Sequence, residues 1–166
     1  MMMAGIPGSG KSTLAKRWIP KGDTRYISRD DIRFKMIKDN EEYFSKEKEV
    51  FQEYLRQIDA AIAKGTRYIF ADATHLNYSS RRKVLSQLKN KPDVVCVFYF
   101  DVPIDVALER NAQRTGKAFV PETAIRNMWN SMQFPQADEG IDMVIPVDEK
   151  GMLLLDKIVS YTKEEI

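Results

Sequence analysis

Near the start of the chain, Gly5-Ile6-Pro7-Gly8-Ser9-Gly10-Lys11-Ser12-Thr13 carries the spacing G-x-x-x-x-G-K-[ST]. The chemistry open to that pattern is the holding of a polyphosphate. Gly5 lets the chain turn sharply off a strand. Gly8 and Gly10 tolerate positive φ, so successive amides can point inward as an anion nest. A helix beginning here adds the positive end of its dipole. Lys11 reaches the outer phosphates, and the Ser12 hydroxyl is placed to ligate Mg²⁺ bridging phosphate oxygens. Ser9 and Thr13 complete the lining. The cofactors expected are ATP and Mg²⁺.

A phosphate donor needs an acceptor side, and three further segments supply candidates. In "YISRDDIR", Tyr26 to Arg33, Asp30 and Arg33 stand three residues apart on one helical face. Asp30 can accept a hydroxyl proton as the acceptor attacks the γ-phosphorus, and Arg33 can hold a phosphate of the acceptor. Asp31 is read instead as the capping partner of Ser28. In "YIFADATHLN", Asp72 ends an apolar run, where a carboxylate serves either the metal or the acceptor. His75, the single histidine, is read as a loop hydrogen-bonder. In "ERNAQRTGKAFVP", Arg110 and Arg114 stand four apart before a flexible "TGK". This is the pattern of a lid whose arginines close over phosphates, with Lys117 beside them.

These residues need a scaffold that brings distant strand ends together. Short apolar runs alternate with helical patterns, which points to α/β. Strands are expected at Met1 to Ala4, Arg25 to Ser28, Thr66 to Asp72, Asp93 to Phe100 and Ile141 to Val147. Helices are expected from Gly10 to Trp18 (closed at Pro20 to Gly22), Arg29 to Lys38, Lys46 to Lys64, Asn77 to Leu88, Pro103 to Arg114, and after Pro121. A last helix is expected from Leu153. The fold expected is a P-loop NTPase fold: a five-stranded parallel sheet flanked by helices, with an arginine-bearing lid at about 110–121. Residues 1–166 are read as one kinase domain. In such sheets ligands gather at the carboxyl ends of the strands.

Composition narrows the class. Of 166 residues, 43% are hydrophobic and 30% charged, with a net charge of +2, which fits a globular protein and neither demands nor forbids a nucleic-acid partner. Cys96 is alone, so no internal disulfide is expected, and it reads as a small buried apolar residue. No run approaches the roughly 20 apolar residues of a membrane span, and the start lacks the basic flank of a signal peptide. A cytoplasmic location is expected.

Taken together, "GIPGSGKST", "SRDDIR", "FADATHLN" and "FDVPIDVALERNAQRTGKAFVP" resemble the 5′-kinase module of bacteriophage-type polynucleotide kinases. The order and spacing are similar over about Met1 to Met132. The resemblance implies that Lys11 and Ser12 bind the ATP phosphates and metal. It also implies that Asp30 is the general base, that Arg33 sits by the acceptor and that Asp72 helps place the substrate. Arg114 would contact the transferring phosphate, with Arg110 as its partner. The lid reads "RTGK" where the family order is closer to R-G-T-K. A D-x-D-x-T phosphatase motif does not occur in the chain.

The leading expectation is an ATP-dependent kinase for a 5′-hydroxyl of DNA or RNA, with single strands preferred. Tyr78, Phe44 and Trp129 are candidates for stacking on bases, with core packing favoured for Trp129. A second reading is a small-molecule kinase for a nucleoside, sugar or antibiotic. A third is a nucleotide-binding switch that transfers nothing.

Overall fold

The computed structural model describes residues 1–18 and 22–161. The expected stop at Pro20 and Lys21 lies outside the described residues, as does the end of the expected last helix beyond residue 161. The strands are β1 (Met2–Ala4), β2 (Thr24–Ser28), β3 (Tyr68–Asp72), β4 (Cys96–Phe100), β5 (Met143–Val147) and β6 (Val159–Ser160). The helices are α1 (Lys11–Trp18), α2 (Arg29–Met36), α3 (Glu47–Ala63), α4 (Tyr78–Gln87), α5 (Ile104–Ala112) and α6 (Glu122–Asn130).

The sheet runs β2-β3-β1-β4-β5-β6. The first five strands in that order pair in parallel and β6 is antiparallel to β5. Among the described residues six strands thus stand where five were expected. The difference lies in the tail. In place of a helix from Leu153, a 3₁₀ turn at Leu155–Lys157 leads into β6. Its physical reason is the outer edge of β5, which would otherwise expose unpaired backbone groups. Gly151, at φ +73°, turns the chain back so that Leu153 bridges Val147 and Val159 pairs with Val144.

Both faces of the sheet are covered, and the period-2 alternation sorts side chains between them. Met2, Ala71, Val97 and Val144 face a core with Val50, Tyr54, Leu55 and Ile58 of α3 and Val84 of α4. Met3, Phe70, Phe98 and Phe100 face the other way, onto Leu14 and Ala15 of α1. The long helix α3 buries Phe51, Tyr54, Leu55 and Ile58, as its spacing predicts. A third cluster of Ile6, Ala107 and Ile125 ties the phosphate loop to α5 and α6.

The order reverses at β1: its partners are β3 on one side and β4 on the other. That is the crevice where parallel α/β sheets bind ligands. Registers Met3↔Asp72 and Ser28↔Asp72 align the ends of β1, β2 and β3 at one edge. Ser28 caps α2 by accepting a hydrogen bond from the Asp31 amide at 3.1 Å, as the sequence predicts.

Candidate active site

The loop from Gly5 to Gly10 joins the end of β1 to the start of α1. Gly8 and Gly10 stand at φ +84° and +97°, which an L side chain resists. At Gly8 space is also missing. A Cβ there would lie 2.4 Å from the Ala107 carbonyl oxygen, because α5 packs its backbone directly on the loop. Helix α5 and the phosphate loop therefore form one packed unit.

Lys11 donates to the carbonyls of Gly5 at 2.8 Å and Ile6 at 2.9 Å, across the loop it closes. Burial pushes its ammonium below the usual lysine range; Asp72 opposes this, Arg114 adds to it and Asp30 opposes it. Three expected residues from three distant segments thus act electrostatically on the one lysine. The Ser12 hydroxyl donates to Asp72 Oδ2 at 2.9 Å, and the Tyr26 hydroxyl donates to the same oxygen at 2.5 Å. Asp72 is 6% exposed. A hydroxyl and a carboxylate side by side at the phosphate loop make a hard oxygen donor set of the kind Mg²⁺ takes alongside phosphate oxygens. Among the described residues no cluster of three His, Cys, Asp or Glu side chains competes as a metal centre.

A cleft of about 350 Å³ opens beside the loop, lined by Gly8, Gly10, Thr13, Arg110, Arg114 and the Glu149–Gly151 turn. Ser9 lines it too. Arg110 donates to the Gly8 carbonyl at 3.3 Å and to the Glu149 carbonyl at 2.5 Å, so it braces the two walls. The helix α5 stops at Ala112, two residues short of the expected end, and Arg114 lies in the following turn. The two arginines do not share a helical face, yet both line the same cleft. Among the described residues Arg114 has no protein hydrogen-bond partner for its guanidinium, unlike Arg110.

On the other side of the crevice, Asp30 stands in the first turn of α2 with its side chain 63% exposed. Its Oδ1 accepts from Arg33 and from the Tyr43 hydroxyl, the latter at 2.8 Å. Burial, then the charge of Asp30, pushes the Tyr43 hydroxyl up to about 12, so it remains a proton donor. Arg33 is only 4% exposed. Its Nη2 and Nε donate to Glu47 at 2.8 and 3.3 Å, and its Nη1 donates to Tyr43 at 2.9 Å. The guanidinium also lies 4.5 Å from the Tyr43 ring centre.

His75 is buried, with φ +43°. Its Nδ1 pairs with the Met3 carbonyl at 2.9 Å and its Nε2 with the Tyr54 hydroxyl at 3.3 Å. Burial lowers its pKa to about 3, so it is neutral and structural. Cys96 is half-buried rather than buried, at the start of β4.

Several groups at the site had no signal in motif spacing. Tyr26 is visible only through strand alternation, which puts it on the face of Ser28. Tyr43 and Glu47 follow an irregular stretch, and no periodicity ties them to Asp30. Arg81 and Glu139, both fully buried, pair at 2.7 and 2.8 Å; Arg81 also donates to the carbonyls of His75 and Gln133. Their separation of 58 residues hid them.

A parallel sheet that reverses its order at a glycine-lined phosphate loop, with Lys11, Ser12 and Asp72 gathered there, defines a P-loop kinase-like domain. The chain belongs to the AAA_33 family, an AAA domain, which matches residues 1–135. Three solved structures show the breadth of similar folds. A sugar kinase from Janibacter sp., in unliganded form, is 21% identical over 90% of this chain and 84% of its own, with a TM-score of 0.61. A chain of the Pnkp1/Rnl/Hen1 RNA repair complex is 24% identical over 78% of this chain, with a TM-score of 0.65; this chain spans 42% of that one. A deoxyadenosine kinase from M. mycoides, with bound dATP, is 16% identical over 90% of each chain, with a TM-score of 0.59. Among the described residues no helix is long and apolar enough to cross a membrane.

Proposed function

We propose that this chain is an ATP-dependent kinase that transfers the γ-phosphate to a 5′-hydroxyl of DNA or RNA, preferentially single-stranded. The observation that carries the reading is the Ser12 hydroxyl bonded to the buried Asp72 carboxylate at the phosphate loop, with the Asp30 carboxylate exposed at the neighbouring strand tip. The motif resemblance to polynucleotide 5′-kinases supports a nucleic-acid acceptor. Residues 1–166 act as one kinase domain in this reading, with 110–121 as its lid.

This reading gives each residue of the site a role. Gly5, Gly8, Ser9, Gly10 and Thr13 cradle the triphosphate through backbone amides and the α1 N-terminus. Lys11 moves from its carbonyl partners to the outer phosphates. Ser12 and Asp72 would hold Mg²⁺, which when bound neutralises charge on the β- and γ-phosphates. Tyr26 fixes the Asp72 carboxylate. Arg110 braces the cleft, and Arg114 meets the charge that develops on the transferring group.

Asp30 acts as the general base. Its Oδ1 is occupied by Arg33 and Tyr43, while among the described residues Oδ2 has no hydrogen-bond partner. Oδ2 takes the proton of the 5′-hydroxyl as that oxygen bonds to the γ-phosphorus and the bond to the β–γ bridging oxygen breaks, releasing ADP. Arg33, sequestered against Glu47, contributes by orienting Asp30 and by its charge beside the acceptor.

The test is transfer from γ-labelled ATP to a panel of 5′-hydroxyl oligonucleotides, nucleosides and sugars. Labelled oligonucleotide is expected, and its loss in Asp30→Asn. A second reading, a small-molecule kinase, is favoured by the sugar-kinase fold, whose likeness covers more of both chains. Label on a sugar or nucleoside alone would establish it. ATP hydrolysis without transfer to any acceptor would favour the switch.

A further inference from the structure

Three aromatic rings lie in sequence along the acceptor side. Tyr43 meets Phe34 edge-on at 6.1 Å and Phe44 edge-on at 4.7 Å between ring centres. Tyr43 is tethered at its hydroxyl to Asp30 and Arg33. Arg33, itself clamped by Glu47, lies 5.5 Å from the Phe44 ring centre. The rings are thus fixed to the base rather than to a mobile side chain. Phe44 is nevertheless 65% exposed and Phe34 36%. Holding a rigid aromatic face open to water beside a carboxylate is unfavourable unless a ligand covers it.

The neighbouring charges say what kind of ligand. Lys117 of the lid pairs with Asp39, Lys46 with Glu41 and Arg33 with Glu47. These pairs leave the exposed Phe44 ring, standing edge-on to Tyr43, as an apolar shelf beside Asp30. A nucleobase needs only a face on which to stack. From this continuity of shelf and base we infer that Phe44, with Phe34 beside it, is the platform for the base of the acceptor's 5′-terminal nucleotide. It holds that nucleotide while its hydroxyl meets Asp30. The inference rests on the proposed 5′-hydroxyl kinase reading and narrows it: recognition is by the terminal base's face, tolerant of base identity.

The probe is a short 5′-hydroxyl oligonucleotide with 2-aminopurine as its first base, mixed with the protein without ATP. Quenching of the probe is expected with wild type and with Phe44→Trp, and its loss with Phe44→Ala. In transfer assays Phe44→Ala is expected to raise KM for the oligonucleotide about 5- to 150-fold. The same change leaves KM unaltered for an acceptor whose 5′-terminal residue is abasic. Phe44→Leu, which keeps apolar area without a π face, is expected to behave like Phe44→Ala. Equal effects on both acceptors, no effect on either, or full rescue by leucine would overturn the platform. A wild type that transfers to oligonucleotides without quenching the probe overturns the platform alone. Failure to phosphorylate any hydroxyl acceptor overturns the kinase reading instead, and the ATP-free quenching still decides the platform.

Discussion

The two sides of the crevice are built in opposite ways. The donor side is mostly backbone: a loop of consecutive residues, with two glycines at positive φ and the α5 main chain against Gly8. The side proposed for the acceptor is mostly side chain: Asp30, Arg33, Tyr43 and Glu47, gathered from α2, an irregular connection and the start of α3. A phosphate cradle needs a fixed array of amides, which contiguous chain supplies. An acceptor site needs an oriented carboxylate, which only partners from elsewhere can hold. The first should fail when backbone geometry is disturbed, the second when one functional group changes at constant shape.

The sharpest way to separate them is Asp30→Asn. Transfer is expected to fall about 10²- to 10⁴-fold, while ATP affinity, measured by calorimetry, stays within about twofold. A parallel loss of ATP affinity would mean the two sides are not independent. Next in size is Gly8→Ala, which adds one carbon. It must either strain a φ of +84° or push α5 away. ATP affinity is expected to fall about 10- to 100-fold, consistent with about 1–3 kcal/mol of strain, and thermal unfolding to shift downward. Unchanged affinity would show that α5 can yield and that the packed unit is looser than the geometry implies.

Acid should act first on the floor of the donor side. His75 holds the Met3 carbonyl of β1 while neutral, with its pKa lowered to about 3 by burial. The unfolded chain has a histidine near 6.5, so between about 6.5 and 3 the unfolded state binds more protons. Stability therefore falls as pH drops through that window, by up to about 1.4 kcal/mol per pH unit from this group. Denaturant unfolding of His75→Asn, a residue that tolerates positive φ, should show a shallower slope there. An identical slope would remove His75 from the account. The smallest effect is expected at the rim: Lys117→Ala breaks an exposed pair with Asp39 and should change stability by under about 1 kcal/mol.

The two sides also differed in how far they could be read. Strand, glycine turn, lysine and helix of the donor loop follow one another in the chain, so the spacing between Gly5 and Ser12 already contained the cradle. Asp30 and Asp72 were legible as strand-end carboxylates. Their partners were not. Tyr26 reaches Asp72 across neighbouring strands, and Glu47 reaches Arg33 over fourteen residues of mixed structure. The tail's apolar run, Met152 to Leu155 with Ile158 and Val159, suits helix or strand alike. Pairing with β5 settled it.

By itself, then, the sequence determined the phosphate loop, the alternation of strands and helices, and the positions of the two carboxylates, since each is set by residues close in the chain. Only the tertiary structure decided which oxygen of Asp30 stays open, that Arg33 is enclosed, and that Phe44 stands uncovered beside Asp30's partner Tyr43. Those outcomes depend on contacts between segments whose sequence separation carries no periodic signal. Packing, not local propensity, chooses among them.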